Sequence, residues 1–501
     1  MTEAWDTPEE QPVFSNGING ETGAYMRQPE TLQALAQQIL ELPLDQDEIR
    51  QNRFWLNYKG SASFGVSEAY DENALNQTGW GIIFPATIDP AIFDSLKPLL
   101  DWRSEQSEAN FKLFSDGEGY RPAETAARWL ARHGAGPGEV DPERVPYYLL
   151  FVGDYDVIPF AFQAQFTQYA TGRLAFSRPE DYARYALSVV EAEKHQRWHA
   201  RRLAFFAPSH PDDRMSQATT EGFVRPLVEY QRQKSNWETH LLLGEKATRS
   251  ALGQVLGGAD TPAILFAAAH GVEFPAQSPY QRPYHGSLLC QDWPGPRAMV
   301  GRLPREFYFA AEDLAPDANL WGTLAFLIAS DSAGAPFGED LSPKGNRPPT
   351  GEAFAARLPQ AMLSHPNGGA LAVIGSVGRI WSNGMDSGDG LSPLVGSYEE
   401  AILKILSGST VGSAFQAFVL RYAELVTNLS DLLEDLQFGL KNPQRDLVKN
   451  WTTVNDTKNL TILGDPAVRV MAVGESEEPA AGASINLQML LAPATVTASL
   501  T

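Results

Sequence analysis

Two short apolar runs constrain this chain more than anything else in it. Ile264-Leu265-Phe266-Ala267-Ala268-Ala269 leads into His270-Gly271, and Leu324-Ala325-Phe326-Leu327-Ile328-Ala329 leads into Ser330-Asp331-Ser332-Ala333-Gly334. Runs of this length, apolar at every position, fit parallel strands covered on both faces. Open α/β sheets hold their chemistry just beyond the carboxyl ends of such strands. A histidine beyond one strand and a small nucleophilic side chain beyond a later one can act together on a single carbonyl, the first as base and the second as attacking group.

The surrounding pattern agrees with that placement. From residue 146 onward strand-like and helix-like segments alternate. Strands are predicted at Tyr147–Val152, Leu203–Ala207, Thr239–Leu243, Ala263–Ala268, Ala325–Ala329 and Ala370–Ile374, with helices over 179–199, 218–233, 247–256 and 351–364. Alternation of this kind predicts an α/β fold, a mostly parallel sheet flanked by helices. Thr171-Gly172-Arg173 reads as a turn leading into a strand. The 271–323 insertion, rich in Pro, Gly, Tyr and Trp, is long enough to be a wall or lid.

Outside this block, residues 1–28 read as disordered, being polar and acidic with few large apolar groups. Residues 29–120 form an accessory region with a helix over 30–42 and a strand at Trp80–Pro85. The catalytic-type domain is expected over 121–395, opening with a helix at Ala123–His133. A helical region over 396–472 follows, with one strong helix at 398–438 and a strand-like Leu460–Pro466. Residues 473–501 read as a flexible tail. A length of 501 residues suggests about three domains.

Composition narrows the function. A formal net charge of −22 argues against nucleic acid, which requires a basic face, and mildly favours basic partners or substrates. No apolar run is long enough for a membrane span, and the first residues lack the basic and apolar regions of a signal peptide. Cys290, the only cysteine, excludes an intrachain disulfide framework and any multi-cysteine zinc site. A cytoplasmic protein that binds neither nucleic acid nor membrane is expected.

The motifs, taken in order, resemble the caspase–gingipain superfamily of cysteine peptidases. The resemblance rests on Ala268-Ala269-His270-Gly271 and on Leu327-Ile328-Ala329-Ser330-Asp331-Ser332-Ala333-Gly334. Leu149–Asp154 with Ile158-Pro159-Phe160, Thr171–Leu174, Leu288–Gly295 and Leu463-Gly464-Asp465-Pro466 extend it over roughly residues 75 to 472. The 60 positions from His270 to Ser330 lie near the roughly 50 of caspase-type enzymes. The resemblance implies a caspase-like sheet and an endopeptidase acting on protein or peptide substrates. His270 is then base or acid, position 330 the nucleophile, and the N–H groups of Gly271 and Ser330 the oxyanion hole. No cofactor and no metal are implied. Gly271 is expected to keep the approach of the substrate carbonyl open.

Two positions depart from the family: Ser330 stands where a cysteine is expected, and Ala269 where many relatives carry glycine. Serine keeps the shape but lacks the easily ionised thiol that a loose dyad needs. An inactivated enzyme is therefore expected, through a deliberate Cys-to-Ser exchange or, second, through natural degeneration into a binding protein or adaptor. The resemblance implies that specificity comes from the loop after an early strand, here Pro208–Arg214. Asp212 and Asp213, with Asp331, predict a basic residue before the cleaved bond, whereas Arg214 alone would favour an acidic one.

Rival readings use the same stretch. Asp331-Ser332-Ala333-Gly334 resembles the elbow of hormone-sensitive-lipase-like esterases, with Ser332 as nucleophile, and His365 is the only histidine after it. Cys290 reads as packing and Asp386–Gly390 as a turn rather than a calcium loop. The loops 209–217 and 337–350 are candidate processing sites for an upstream activating protease.

Overall fold

The computed structural model of the protein describes residues 12–42, 65–67, 69–136, 138–195, 199–257, 261–336, 352–381, 394–437, 444–470 and 472–473. Ten strands form one sheet: β1 (Trp80–Ile83), β2 (Phe111–Phe114), β3 (Tyr148–Val152), β4 (Ala170–Leu174), β5 (Arg202–Ala207), β6 (Glu238–Leu243), β7 (Ile264–Ala268), β8 (Leu324–Ile328), β9 (Ala372–Ser376) and β10 (Leu460–Gly464). Their spatial order is β6-β5-β7-β8-β9-β10-β4-β3-β1-β2. Only the β9–β10 pairing is antiparallel. The sheet therefore consists of two parallel blocks of opposite direction joined at that pair. The fold is mixed α/β with a large, mostly parallel sheet flanked by helices, as the alternation predicts.

The chain builds this sheet from apolar segments because its inner strands have no wet face. β3, β7, β8, β9 and β10 are buried at every residue. β1 and β2 lie within the expected accessory region and β10 near the end of the expected helical region, so one sheet draws on all three segments. Helices α1 (Leu32–Glu41), α2 (Pro90–Ser107), α3 (Pro179–Lys194), α4 (Arg225–Lys234), α5 (Val395–Leu406), α6 (Val411–Gln437) and α7 (Gln444–Lys458) are the longer ones.

Three local expectations are corrected. The helix expected over 398–438 is two helices, α5 and α6. The chain turns at Gly408, whose φ of +92° suits glycine, and Thr410 Oγ1 then accepts the Ser413 N–H at 3.2 Å to start α6. The helix expected over 218–233 is a π-helical turn at Ala218–Val224 followed by α4. Pro226 lies in the first turn of α4, where its missing N–H is tolerated. Thr171-Gly172-Arg173 is not a turn but lies inside β4. Gly172 belongs there because a side chain would meet Gly464 O at 2.2 Å, and Arg173 is buried with Nε on Gln163 Oε1 at 2.8 Å and Nη1 on Gly153 O at 2.7 Å.

The largest departure concerns residues 12–28, expected as part of a disordered stretch. Pro12–Val13 pairs with Glu30–Thr31. Ile18–Asn19 joins a second, four-stranded sheet beside Gly271–Glu273, Ser287–Leu289 and Tyr308–Phe309. A core of Ile18, Val272, Phe274, Leu289, Trp293 and Leu303 holds this sheet together. The 271–323 insertion thus carries strands of its own and stands over the carboxyl ends of β7 and β8.

Candidate active site

β7 and β8 pair in parallel from Ile264↔Leu324 to Ala268↔Ile328, so the chain leaves both at the same level. His270 and Ser330 therefore emerge side by side at one edge of the sheet. Gly271 packs directly on the neighbouring tip: a side chain there would lie 1.9 Å from Ser330 O. Glycine is thus required by the contact between the two tips.

Both ring nitrogens of His270 are engaged. Nδ1 accepts the Gly17 N–H at 3.0 Å, which leaves the proton on Nε2, 2.7 Å from Asp213 Oδ2. Asp213 Oδ1 accepts the Tyr25 hydroxyl at 2.6 Å and the Met215 N–H at 3.1 Å. Burial pushes the Asp213 carboxyl up, but His270 and the hydrogen bonds from its neighbours outweigh burial and hold it well below the usual carboxylate range. Burial and the Asp213 charge together raise the Tyr25 phenol.

Ser330 is saturated as well. Its Oγ donates to the Asn16 carbonyl at 2.6 Å and accepts the Ile380 N–H at 3.0 Å. The Gly271 and Ser330 N–H groups converge on one atom, Asn16 Oδ1, at 2.9 and 3.0 Å. Asn16 Nδ2 donates to Ala269 O at 2.7 Å, and the Asn16 N–H donates to Ile380 O at 2.7 Å. The Asn16–Gly17 peptide thus spans the pair, its C=O on the serine hydroxyl and its N–H on the imidazole. His270 and Ser330 are 2% and 0% exposed, so no other molecule reaches them while this segment stays.

The sequence explains why the segment lies so close. Gly17 has φ +131°, and a side chain there would sit 2.0 Å from Glu273 Oε1. Ile18 and Asn19 then run parallel to Val272 and Glu273, and Ser15 bridges to Trp381. Arg214 stacks over the Phe14 ring at 5.9 Å and Arg27 over Trp381 at 5.4 Å.

A second histidine–carboxylate pair lies behind the first. His285 Nε2 is 3.0 Å from Asp331 Oδ2, and His285 Nδ1 accepts the Phe274 N–H at 3.1 Å. Asp331 has φ +58°, a left-handed conformation that carries the chain sharply away from Ser330. Glu273 is paired with Arg379 at 3.0 Å. Burial disfavours a charged His285, but the Asp331 and Glu273 carboxylates prevail and raise its pKa. Burial raises the Glu273 carboxyl against the pull of Arg379.

The carboxylates expected to bind substrate are therefore apart. Asp213 is bound to His270 and Asp331 to His285, while Asp212 is half-buried and accepts the Arg297 N–H at 3.3 Å. Ser332 Oγ donates to Leu327 O at 2.5 Å and accepts the Ser376 N–H at 3.0 Å, so its hydroxyl ties β8 to β9. His365 Nε2 lies 3.0 Å from Ala315 O. Cys290 is buried with its thiol pushed up by burial. Residues 209–217 close over His270 and include a helical turn at Arg214–Gln217, with Met215 and Ser216 buried. The stretches 337–350 and Asp386–Gly390 lie outside the described residues. Among the described residues, no group of three or more His, Cys, Asp or Glu side chains is placed to hold a metal ion.

Sequence reasoning missed Asn16, Gly17, Tyr25 and Ile380 at this site, and gave Asp213 a different task. The one available signal was Asn16-Gly17, a turn dipeptide. It stands among scattered apolar residues without helix or strand period, so nothing marked it as buried.

No protein-family model matches the chain, nor does any curated protein. Two solved structures resemble it. One is described as the structure of a protease, with 14% identity and a TM-score of 0.47, covering 83% of this chain and 81% of that one. The other is a complex of the pro- and mature domains of Porphyromonas gingivalis RgpB, with 14% identity and a TM-score of 0.46, covering 78% and 80%.

Proposed function

We propose that this chain is a peptidase of the caspase–gingipain type held closed by its own residues 15–17. His270, oriented by Asp213, serves as acid and base. The residue at 330 is the nucleophile, and the Gly271 and Ser330 N–H groups bind the developing oxyanion. One observation carries the reading. Two backbone N–H groups meet on a single amide oxygen, beside a peptide bond whose C=O and N–H face residue 330 and His270.

A peptidase needs this set: donors for the carbonyl oxygen, an attacking atom, and an imidazole to protonate the leaving nitrogen. The resident segment presents them wrongly for cleavage, because the oxygen in the hole belongs to the Asn16 side chain and not to its main chain. With serine at 330 the centre is the inactive form of a cysteine enzyme. An upstream protease that removes the segment is the natural activating partner, and protein or peptide chains the substrates. With Asp213 and Asp331 each committed to a histidine, Asp212 is the carboxylate left to favour a basic residue before the cleaved bond. The adaptor reading draws its support from Ser330 itself, whose hydroxyl lacks the ionised thiol's reactivity. The saturated Ser332 hydroxyl gives none to the esterase reading.

The test is the Ser330→Cys chain, intact and lacking residues 1–28, assayed on a peptide library. Cleavage after Arg or Lys is expected in the shortened form and is abolished by His270→Ala. Turnover only after Asp would reverse the specificity. No turnover of any peptide would leave the adaptor.

A further inference from the structure

The same contacts that close the centre engage the side-chain amide of Asn16 and the main-chain N–H of Gly17, two groups that can react with each other. We propose that Asn16-Gly17 is a self-modification site, where the Gly17 nitrogen displaces ammonia from the Asn16 side chain. The product is a succinimide, which water opens to an aspartyl or isoaspartyl residue. The inference rests on the placement of residues 16 and 17 and does not need residue 330 as a nucleophile.

Three observations converge. Asn16 Oδ1 accepts N–H bonds from Gly271 at 2.9 Å and Ser330 at 3.0 Å, which draws electrons from Cγ and stabilises negative charge on that oxygen. The Gly17 N–H points at His270 Nδ1 at 3.0 Å, the ring nitrogen left unprotonated because Nε2–H faces Asp213 at 2.7 Å. The attacking residue is glycine, so no side chain hinders its nitrogen. Nucleophile, electrophile and base are then parts of one buried unit, and their meeting costs no further translational entropy.

The step balances. A bond forms between the Gly17 nitrogen and Asn16 Cγ while His270 Nδ1 takes the Gly17 proton. The oxyanion at Oδ1 is held by the two N–H groups. The Cγ–Nδ2 bond then breaks, Nδ2 keeps the electron pair, and the imidazolium returns its proton, so ammonia leaves. Ring closure removes the Gly17 N–H from His270 and the Nδ2 donor from Ala269 O, which loosens the segment and admits water. Water then adds across either ring C–N bond, with no oxidant or reductant. Cleavage of the peptide bond is the disfavoured outcome, because the main-chain oxygen of Asn16 lies on Ser330 Oγ at 2.6 Å rather than on the two N–H groups.

The product no longer fits. An aspartyl side chain replaces the Nδ2 donor facing Ala269 O with a second acceptor. An isoaspartyl linkage adds a main-chain carbon, which breaks the register of Ile18 and Asn19 with Val272 and Glu273. The modification therefore releases the segment from the inside, on a clock set by His270.

The full-length chain is incubated folded and, separately, unfolded in guanidinium, and the peptide containing Asn16 is followed by mass spectrometry. Loss of ammonia and then gain of water at Asn16 is expected about a hundredfold or more faster in the folded chain, the low end of general acid–base assistance. In folded His270→Gln the rate falls to the unfolded value. Equal or slower conversion in the folded wild-type chain overturns the proposal, as does an unchanged rate in His270→Gln. Scission between residues 16 and 17 also overturns it, while favouring the peptidase reading. The wild-type comparison decides alone if the variant does not fold. The readout is the mass of residue 16, so it is independent of any failure to find peptide turnover.

Discussion

At the scale of the residue, Asn16 does two jobs with one side chain. It satisfies two buried N–H groups and supplies a donor to a buried carbonyl. An unsatisfied buried N–H costs about 1–3 kcal/mol. Asn16→Ala orphans two of them and is expected to weaken the hold on residues 12–31 by a few such units at most, with water recovering part of the loss. Hydrogen exchange of those amides should rise by about tenfold or more, and unchanged protection would mean that the carboxamide holds nothing. His285 gives a pH effect of known sign. Its folded pKa lies above the ordinary histidine value of about 6.5, so its contribution is fully present below that value and lost as pH rises through the folded one. Denaturant midpoints of wild type and His285→Gln should therefore differ most near pH 6 and converge in alkali. A gap that widens with rising pH would contradict the assignment.

At the scale of the element, polar staples decide how segments distant in sequence meet. Arg103 on α2 is fully buried and bonds Asp465 after β10 at 2.7 Å and Glu193 on α3 at 2.7 Å. Trp80 at the start of β1 donates to the same Asp465 at 2.9 Å. Removing one partner of such a cluster leaves uncompensated charge in the interior, at a cost of about 3–5 kcal/mol. Arg103→Ala should lower the stability of the protein by that amount in equilibrium denaturation, and a loss under about 1 kcal/mol would show that the cluster is not dry.

The elements also show what a sequence reveals. β3, β7, β8 and β9 were legible because burial on both faces demands unbroken apolar runs. His270 and Ser330 were legible because they end two of those runs. Arg173 and Gly172 hid a strand, since a buried arginine and a glycine forced by Gly464 both imitate a turn. Ser330 and Gly271 follow neighbouring strands, and the close contact between them became visible only with the fold. Asp213 carried no sign that it would face a histidine 57 positions away.

At the scale of the whole molecule, distant parts of the chain meet inside the sheet and at the carboxyl ends of its strands. β10 brings residues 460–464 into the middle of the sheet, between β9 and β4, and joins two blocks of opposite direction. Residues 12–31 cross to the edge where β7 and β8 end and add a strand to the sheet of the 271–323 insertion. No local pattern announces such contacts. A polar, glycine-containing stretch is indistinguishable from a disordered one until the surface that completes it is known.

Reactivity at position 330 tests this account most directly. A thiol placed there by Ser330→Cys should be alkylated by a small haloacetamide about a hundredfold more slowly in the intact chain than in the chain lacking residues 1–28, since release of the segment must overcome several buried hydrogen bonds. Equal rates in the two chains would show that residues 15–17 do not close the site.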